Sequence, residues 1–145
     1  IRKRRLPMGS ASDYVENGSL DFWLNGSTAI TGPTTVYLAL FTTGPDDDGT
    51  GGTEVSGNSY TRATITPTGI DSSRFTITDG LATNSVRITF PEPTGSWGTI
   101  VLGGVYDSVS IGNLLFRVTL SNGEFTVVTG QPVIFPTGEL QVTAS

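Results

Sequence analysis

The sequence predicts an all-β fold, a single β-sandwich or jelly-roll-like domain with one short N-terminal helix. Three observations predict it. Short segments rich in β-branched and aromatic residues recur from residue 35 to the end, separated by turn signals built on Gly, Asn and Asp. Glycine is abundant, 19 in 145 residues, and only 14% of the chain is charged, against a usual ~25%. No segment repeats at a fixed period, which argues against propellers and solenoids. One domain is the simplest partition, with residues 1–12 as an N-terminal arm and 13–145 as the domain. A chain of this length buries about 68–70% of its unfolded surface, enough for a core without cross-links.

The helix comes first. SDYVENGSLDFWLNG predicts helix over about residues 13–25. Asp13 is the expected N-cap, with Glu16 completing a capping-box pair, and Gly26 is the expected stop. Val15, Gly18 and Phe22 share one face, which Leu20, Trp23 and Leu24 widen. Gly18 costs about 1 kcal/mol relative to Ala, so packing must hold the segment.

The strands follow. TVYLALFT (35–42) places Val36, Leu38 and Leu40 on one face, and YTRATIT (60–66) alternates. RFTIT (74–78) ends on Asp-Gly, a hairpin signal. NSVRITF (84–90) directs Val86, Ile88 and Phe90 to one side and Arg87 and Thr89 to the other. GTIVLGGVYD (98–107) is apolar on both faces and predicts one central strand, with Gly103-Gly104 marking a bulge or a close backbone approach. NLLFRVTL (113–120), FTVVT (125–129), PVIF (132–135) and ELQVTA (139–144) complete the set.

Composition narrows the chemistry. The chain has no cysteine and no histidine, which removes thiolate metal sites, disulfides and every Ser-His-Asp triad. Of its eight basic residues, Arg2, Lys3, Arg4 and Arg5 lie in the arm; the rest of the chain sets four against 13 acidic residues, a net of −9. An acidic body argues against a nucleic-acid face, which needs clustered cations. No apolar run approaches the ~20 residues of a membrane helix, and the basic start lacks the hydrophobic region of a secretory signal. Either the arm is part of the native product, or Met8 is the natural start and residues 1–7 precede it.

Several local patterns invite a chemical reading. GPDDDGTGGTEV places Asp46, Asp48 and Glu54 as calcium candidates, but counted from Asp46 as an EF-hand loop, position 12 is Gly57 rather than the closing glutamate. A solvated loop whose glycines take positive φ is the plainer expectation. Glu92, near Trp97, is the one suggestion of a glycosidase carboxylate, and it lacks a paired acid. GTGG does not join a strand to a helix and is no nucleotide fingerprint. Phe22, Trp23, Tyr60, Trp97 and Tyr106 are expected in the core; any left exposed would anchor a subunit contact.

Taken in order, YVENGSLDFWLNGSTAITGPTTVYLALFTTGP, GTEVSGNSYTR, NSVRITFPEPTGSWGTIVLGGVYD, GNLLFRVTL and FPTGELQVT resemble a family of small tailed-bacteriophage virion proteins. The resemblance covers about residues 12–144. Its motif includes Glu54, Val55, Ser56, Gly57 and Tyr60, and leaves out the aspartates. It implies a structural role in the particle, with no enzyme activity and no cofactor. The expectation drawn from it is a capsid cement, or decoration, protein. Such a protein would bind the major capsid protein on the outer surface of the capsid, as a homotrimer, with no nucleic-acid or membrane partner. Arg2, Lys3, Arg4, Arg5, Phe22 and Trp23 are the expected contact residues. The alternative is a tail-fibre adhesin that binds a host surface glycan, which predicts exposed aromatics in the loops.

Overall fold

The computed structural model describes residues 11–26, 32–66 and 74–143. Arg2, Lys3, Arg4 and Arg5 lie outside the described residues.

Helix α1 spans Asp13–Asn25. Its N-cap is Ser12, not Asp13. Ser12 is in the extended region, its hydroxyl accepts from the Val15 N–H, and the same hydroxyl donates to the Leu114 carbonyl. Asp13 is the first helical residue, and its N–H, free of any partner within the helix, donates to the Asp47 carbonyl. Gly26 closes the helix in the left-handed region at φ 65° and returns its N–H to Asp21.

Twelve strands follow among the described residues: β1 (Val36–Thr43), β2 (Thr53–Glu54), β3 (Ala63–Ile65), β4 (Phe75–Thr78), β5 (Leu81–Asn84), β6 (Ile88–Thr89), β7 (Gly98–Ile100), β8 (Leu102–Tyr106), β9 (Leu114–Leu120), β10 (Phe125–Val127), β11 (Ile134–Phe135) and β12 (Leu140–Thr143). Eight of them form one sheet in the order β2-β1-β8-β9-β12-β5-β4, with β3 also on β1. Strands β2 and β3 occupy the two ends of the same side of β1, opposite β8. All these pairings are antiparallel. Two ribbons, β7–β10 and β6–β11, stand apart from the sheet.

The chain is therefore all-β with one N-terminal helix, and the ribbons supply the layer opposite the large sheet. Ile88, Ile100, Val127 and Phe135 of the ribbons are buried in one cluster with Leu38, Leu40, Val118 and Leu140 of the sheet. Phe90 meets Trp97 and Phe135 edge-on, and Phe125 does the same to Phe135, so aromatic contacts knit the ribbons together. A second, smaller cluster of Ala39, Phe41, Tyr106 and Leu114 lies on the other face of the sheet.

The segment 98–107 is two strands, not one. β7 pairs β10, whereas β8 runs between β1 and β9, and the exposed Val101 separates them. A segment apolar on both faces serves both layers here by switching between them. Gly103 and Gly104 mark a close approach: a Cβ on Gly103 would lie 3.2 Å from Leu38, and one on Gly104 3.1 Å from Leu114, Phe41 and Tyr106. Strands β2 and β5 had no strand signal in the sequence. β5 exists because Asp79 and Gly80, with φ of 51° and 78°, turn the chain back along β4.

Candidate functional site

Two regions carry the residues that the sequence marks out. The first is the loop from Gly44 to Arg62. Asp46, Asp48 and Glu54 do not converge there. The Asp48 carboxylate accepts from the Thr50 N–H at 2.8 Å and from its hydroxyl at 2.6 Å, an Asx turn that holds its pKa below the usual carboxylate value. Both Glu54 oxygens belong to Arg62, with Nε and Nη2 each donating at 2.8 Å. Among the described residues no group of three carboxylates is placed to hold a metal ion.

Glu54, Tyr60 and Arg62 instead form an internal clamp. Arg62 is buried, and besides Glu54 its Nη1 donates to the carbonyls of Ser108 and Ile111 at 2.9 and 2.7 Å. Its guanidinium lies 3.8 Å over the ring of Tyr106. The Tyr60 hydroxyl donates to Glu54 at 2.9 Å and accepts from the Leu40 N–H at 3.0 Å. One ion pair thus joins β1, β2, the loop before β3 and the loop after β8. The bidentate geometry suits the planar guanidinium. Asn58 and Ser59, both at positive φ, let the loop reach back to residues 94–97. There the Asn58 carbonyl accepts from the Trp97 indole at 3.0 Å.

Asp47 belongs to the fold as well. Its carbonyl holds the start of α1, and its carboxylate faces Arg117 at 3.8 Å. A Cβ on Gly49 would touch Leu114 of the smaller cluster, so this loop covers that cluster. The stretch is, as expected, an exposed loop with Gly49, Gly51, Gly52 and Gly57 at positive φ, but Pro45, Val55 and Arg62 fix it to the fold.

The clamp predicts an alkaline limit to stability. Burial pushes the Tyr60 phenol far above its ordinary value, more than the Leu40 N–H and Arg62 pull it down, and burial raises Tyr106 too. A phenol with a raised folded pKa contributes stability that is complete below its unfolded pKa of about 10 and is lost as pH rises past it. The urea midpoint should stay flat from about pH 7 to 9 and fall above about pH 10. Tyr60→Phe should flatten that alkaline fall; an unchanged slope in the variant would show that Tyr60 does not cause it.

The second region is α1. Val15 packs on the main cluster, and Ser12 and Ala11 tie the helix to β9 through Leu115 and Phe116. Its apolar residues otherwise face outward. Trp23 is 80% exposed, Leu24 77%, Leu20 58%, Tyr14 56% and Phe22 42%. Phe22 and Trp23 stack edge-on at 5.2 Å, which presets their shape. The expectation of a core role therefore fails for Phe22 and Trp23: the helix is tied to the sheet through Ala11, Ser12 and Val15, and these two rings lie on its outward side. It is met by Trp97 and Tyr106, which are buried, and in part by Tyr60. Among the described residues every exposed aromatic lies on α1.

The family model described as podophage GP4 fiber I protein gp80 matches residues 10–143. No curated protein matches the chain.

Proposed function

The chain belongs to the podophage GP4 fiber I protein gp80 family and is a phage virion structural protein, and from this premise we propose that it is a peripheral component of the particle, held to neighbouring protein by the exposed face of α1. The observation that carries the proposal is the outward-facing set of Leu20, Phe22, Trp23 and Leu24 on a helix whose ends are firmly capped. Burying a large apolar side chain contributes about 1.5–3 kcal/mol, and central aromatic anchors dominate protein interfaces. The role is structural and asks for no catalytic group.

The family description supports a fibre component as the form this takes. It does not favour a glycan-reading adhesin, because the exposed aromatics of the described residues lie on α1 and not in the loops. Capsid cement, bound to the major capsid protein on the outer surface of the capsid, is the second reading. Counting this polypeptide in purified particles separates them, with tens of copies or fewer expected for a fibre and hundreds for a cement.

The docking surface has its own test. Trp23→Ser should reduce incorporation into particles at least tenfold, about 1.4 kcal/mol of lost contact, while leaving the fold intact because the side chain is exposed. Undiminished incorporation of a folded Trp23→Ser protein would rule out α1 as the docking surface.

A further inference from the structure

The loop joining β8 to β9, residues 107–113, is exposed yet firmly held. The Asp107 carboxylate accepts from the Asn113 N–H at 2.7 Å and from its side-chain amide at 2.8 Å, and the Ser108 hydroxyl donates to the Ser110 carbonyl at 2.8 Å. Buried Arg62 donates to the carbonyls of Ser108 and Ile111. Gly112, at φ 74°, closes the frame tightly: a Cβ there would lie 2.5 Å from the Asp107 carboxylate and 2.6 Å from the Ser108 Cβ. This frame holds two apolar side chains outward. Ile111 is 88% exposed and Val109 49%, and neither belongs to a core cluster. Ile111 is also at φ 55°. A β-branched side chain is a poor choice for that conformation, which favours Gly or Asn. The fold therefore carries a strained isoleucine whose side chain adds nothing to the core.

We infer that Ile111, with Val109 beside it, is a preset anchor that inserts into an apolar socket on a neighbouring protein of the particle. The inference rests on the docking reading of α1 and adds a second anchor to it. Asp107, at the base of the loop, lines one groove with Tyr14, Asn17 and Gly18 of α1, so helix and loop adjoin. A residue that breaks its local conformational preference without serving the core points to a use outside the fold. The firm frame suits that use, because a tip already held in its bound shape loses little freedom on docking. The tip also sets the chemistry of the socket. Residues 108–112 carry no charge, and the Asp107 carboxylate is taken up by Asn113, so the matching socket is apolar at its floor and neutral at its rim.

Ile111→Asn tests the inference by moving stability and assembly in opposite directions. Asn accepts a positive φ, so relief of strain should raise the thermal unfolding midpoint by about 2–4 °C. The copies of the protein in each purified particle should meanwhile fall at least about tenfold. Ile111→Leu keeps an apolar tip and should incorporate within about threefold of wild type. A lower midpoint for Ile111→Asn would overturn the inference, since the isoleucine would then serve the fold, and so would undiminished incorporation of the folded variant. An equal loss for Asn and Leu would overturn it too, because the shape of the loop and not its apolar group would then be read. Trp23→Ser separates the inference from the reading beneath it. A loss with Trp23→Ser and none with Ile111→Asn keeps α1 as the docking surface and removes the loop. A loss with Ile111→Asn and none with Trp23→Ser removes α1 and keeps the loop as the anchor. Normal incorporation of both variants removes both.

Discussion

Arg62→Ala is expected to lower the unfolding midpoint by about 6–12 °C, from a loss of about 3 kcal/mol at roughly 2–4 °C per kcal/mol. The reason is what the truncation leaves behind. Four hydrogen bonds end on this guanidinium, two at Glu54 and one each at the Ser108 and Ile111 carbonyls. Without it, the Glu54 carboxylate keeps only the Tyr60 hydroxyl, two carbonyls lose their charged donor and Tyr106 loses its cation. Ile111 makes the effect local as well as global. It is a β-branched residue at φ 55°, a conformation that surrounding structure must impose. Hydrogen exchange should therefore speed up first in residues 107–113. Arg62→Lys should not restore stability, since an ammonium cannot make the bidentate contact while reaching two carbonyls. Arg87→Ala, at an exposed position, serves as the control and should stay within about 0.5 kcal/mol. A midpoint for Arg62→Ala equal to that of the control would show the clamp to be energetically idle.

The second large effect is expected at Gly52. Its φ is 67°, and a Cβ there would lie 2.7 Å from the Pro45 nitrogen and the Thr43 carbonyl oxygen and 2.8 Å from the Gly44 carbonyl carbon. Those are backbone atoms, so no side-chain rotation relieves the clash. Gly52→Ala must push β2 away from the end of β1, which pulls at Glu54 and loosens the loop over Phe41, Tyr106 and Leu114. The cost should be about 3 kcal/mol or more, the left-handed strain of roughly 1–2 kcal/mol plus the displaced packing. Gly57→Ala gives the comparison. Its φ is 74° but nothing lies within 4 Å of the added carbon, so it should cost only the strain, about 1–2 kcal/mol. Equal losses in chemical denaturation would mean that conformation alone, and not the clash, sets the cost at Gly52.

These two sites show where the sequence is readable and where it is not. Gly52 and Gly57 look alike in GTGGTEVSG, and only the path of the chain past Pro45 tells them apart. Arg62 sits in an alternating segment and has no local sign of burial. Its carboxylate partner is eight residues away and its carbonyl partners more than forty. Glu54 and Tyr60 stand out by resemblance, which marks them without saying that they join. The aspartates looked like ligands because carboxylate spacing along a chain says little about convergence in space.

The sequence by itself determined the all-β class, the short helix with its stop at Gly26, the alternation that buries Val86, Ile88 and Phe90, and the close approach at Gly103 and Gly104. Each of these depends on residues within a few positions of one another, through side-chain period, φ preference or the lack of a Cβ. The tertiary structure alone decided that 98–107 divides between two layers, that the Asp-rich loop packs over a second cluster, and that Phe22 and Trp23 point outward. Those depend on which surface a distant segment reaches. The helix shows the difference most clearly: its apolar residues are legible in the sequence, but only the fold, by tying α1 down through Ala11, Ser12 and Val15, leaves Leu20, Phe22, Trp23 and Leu24 exposed.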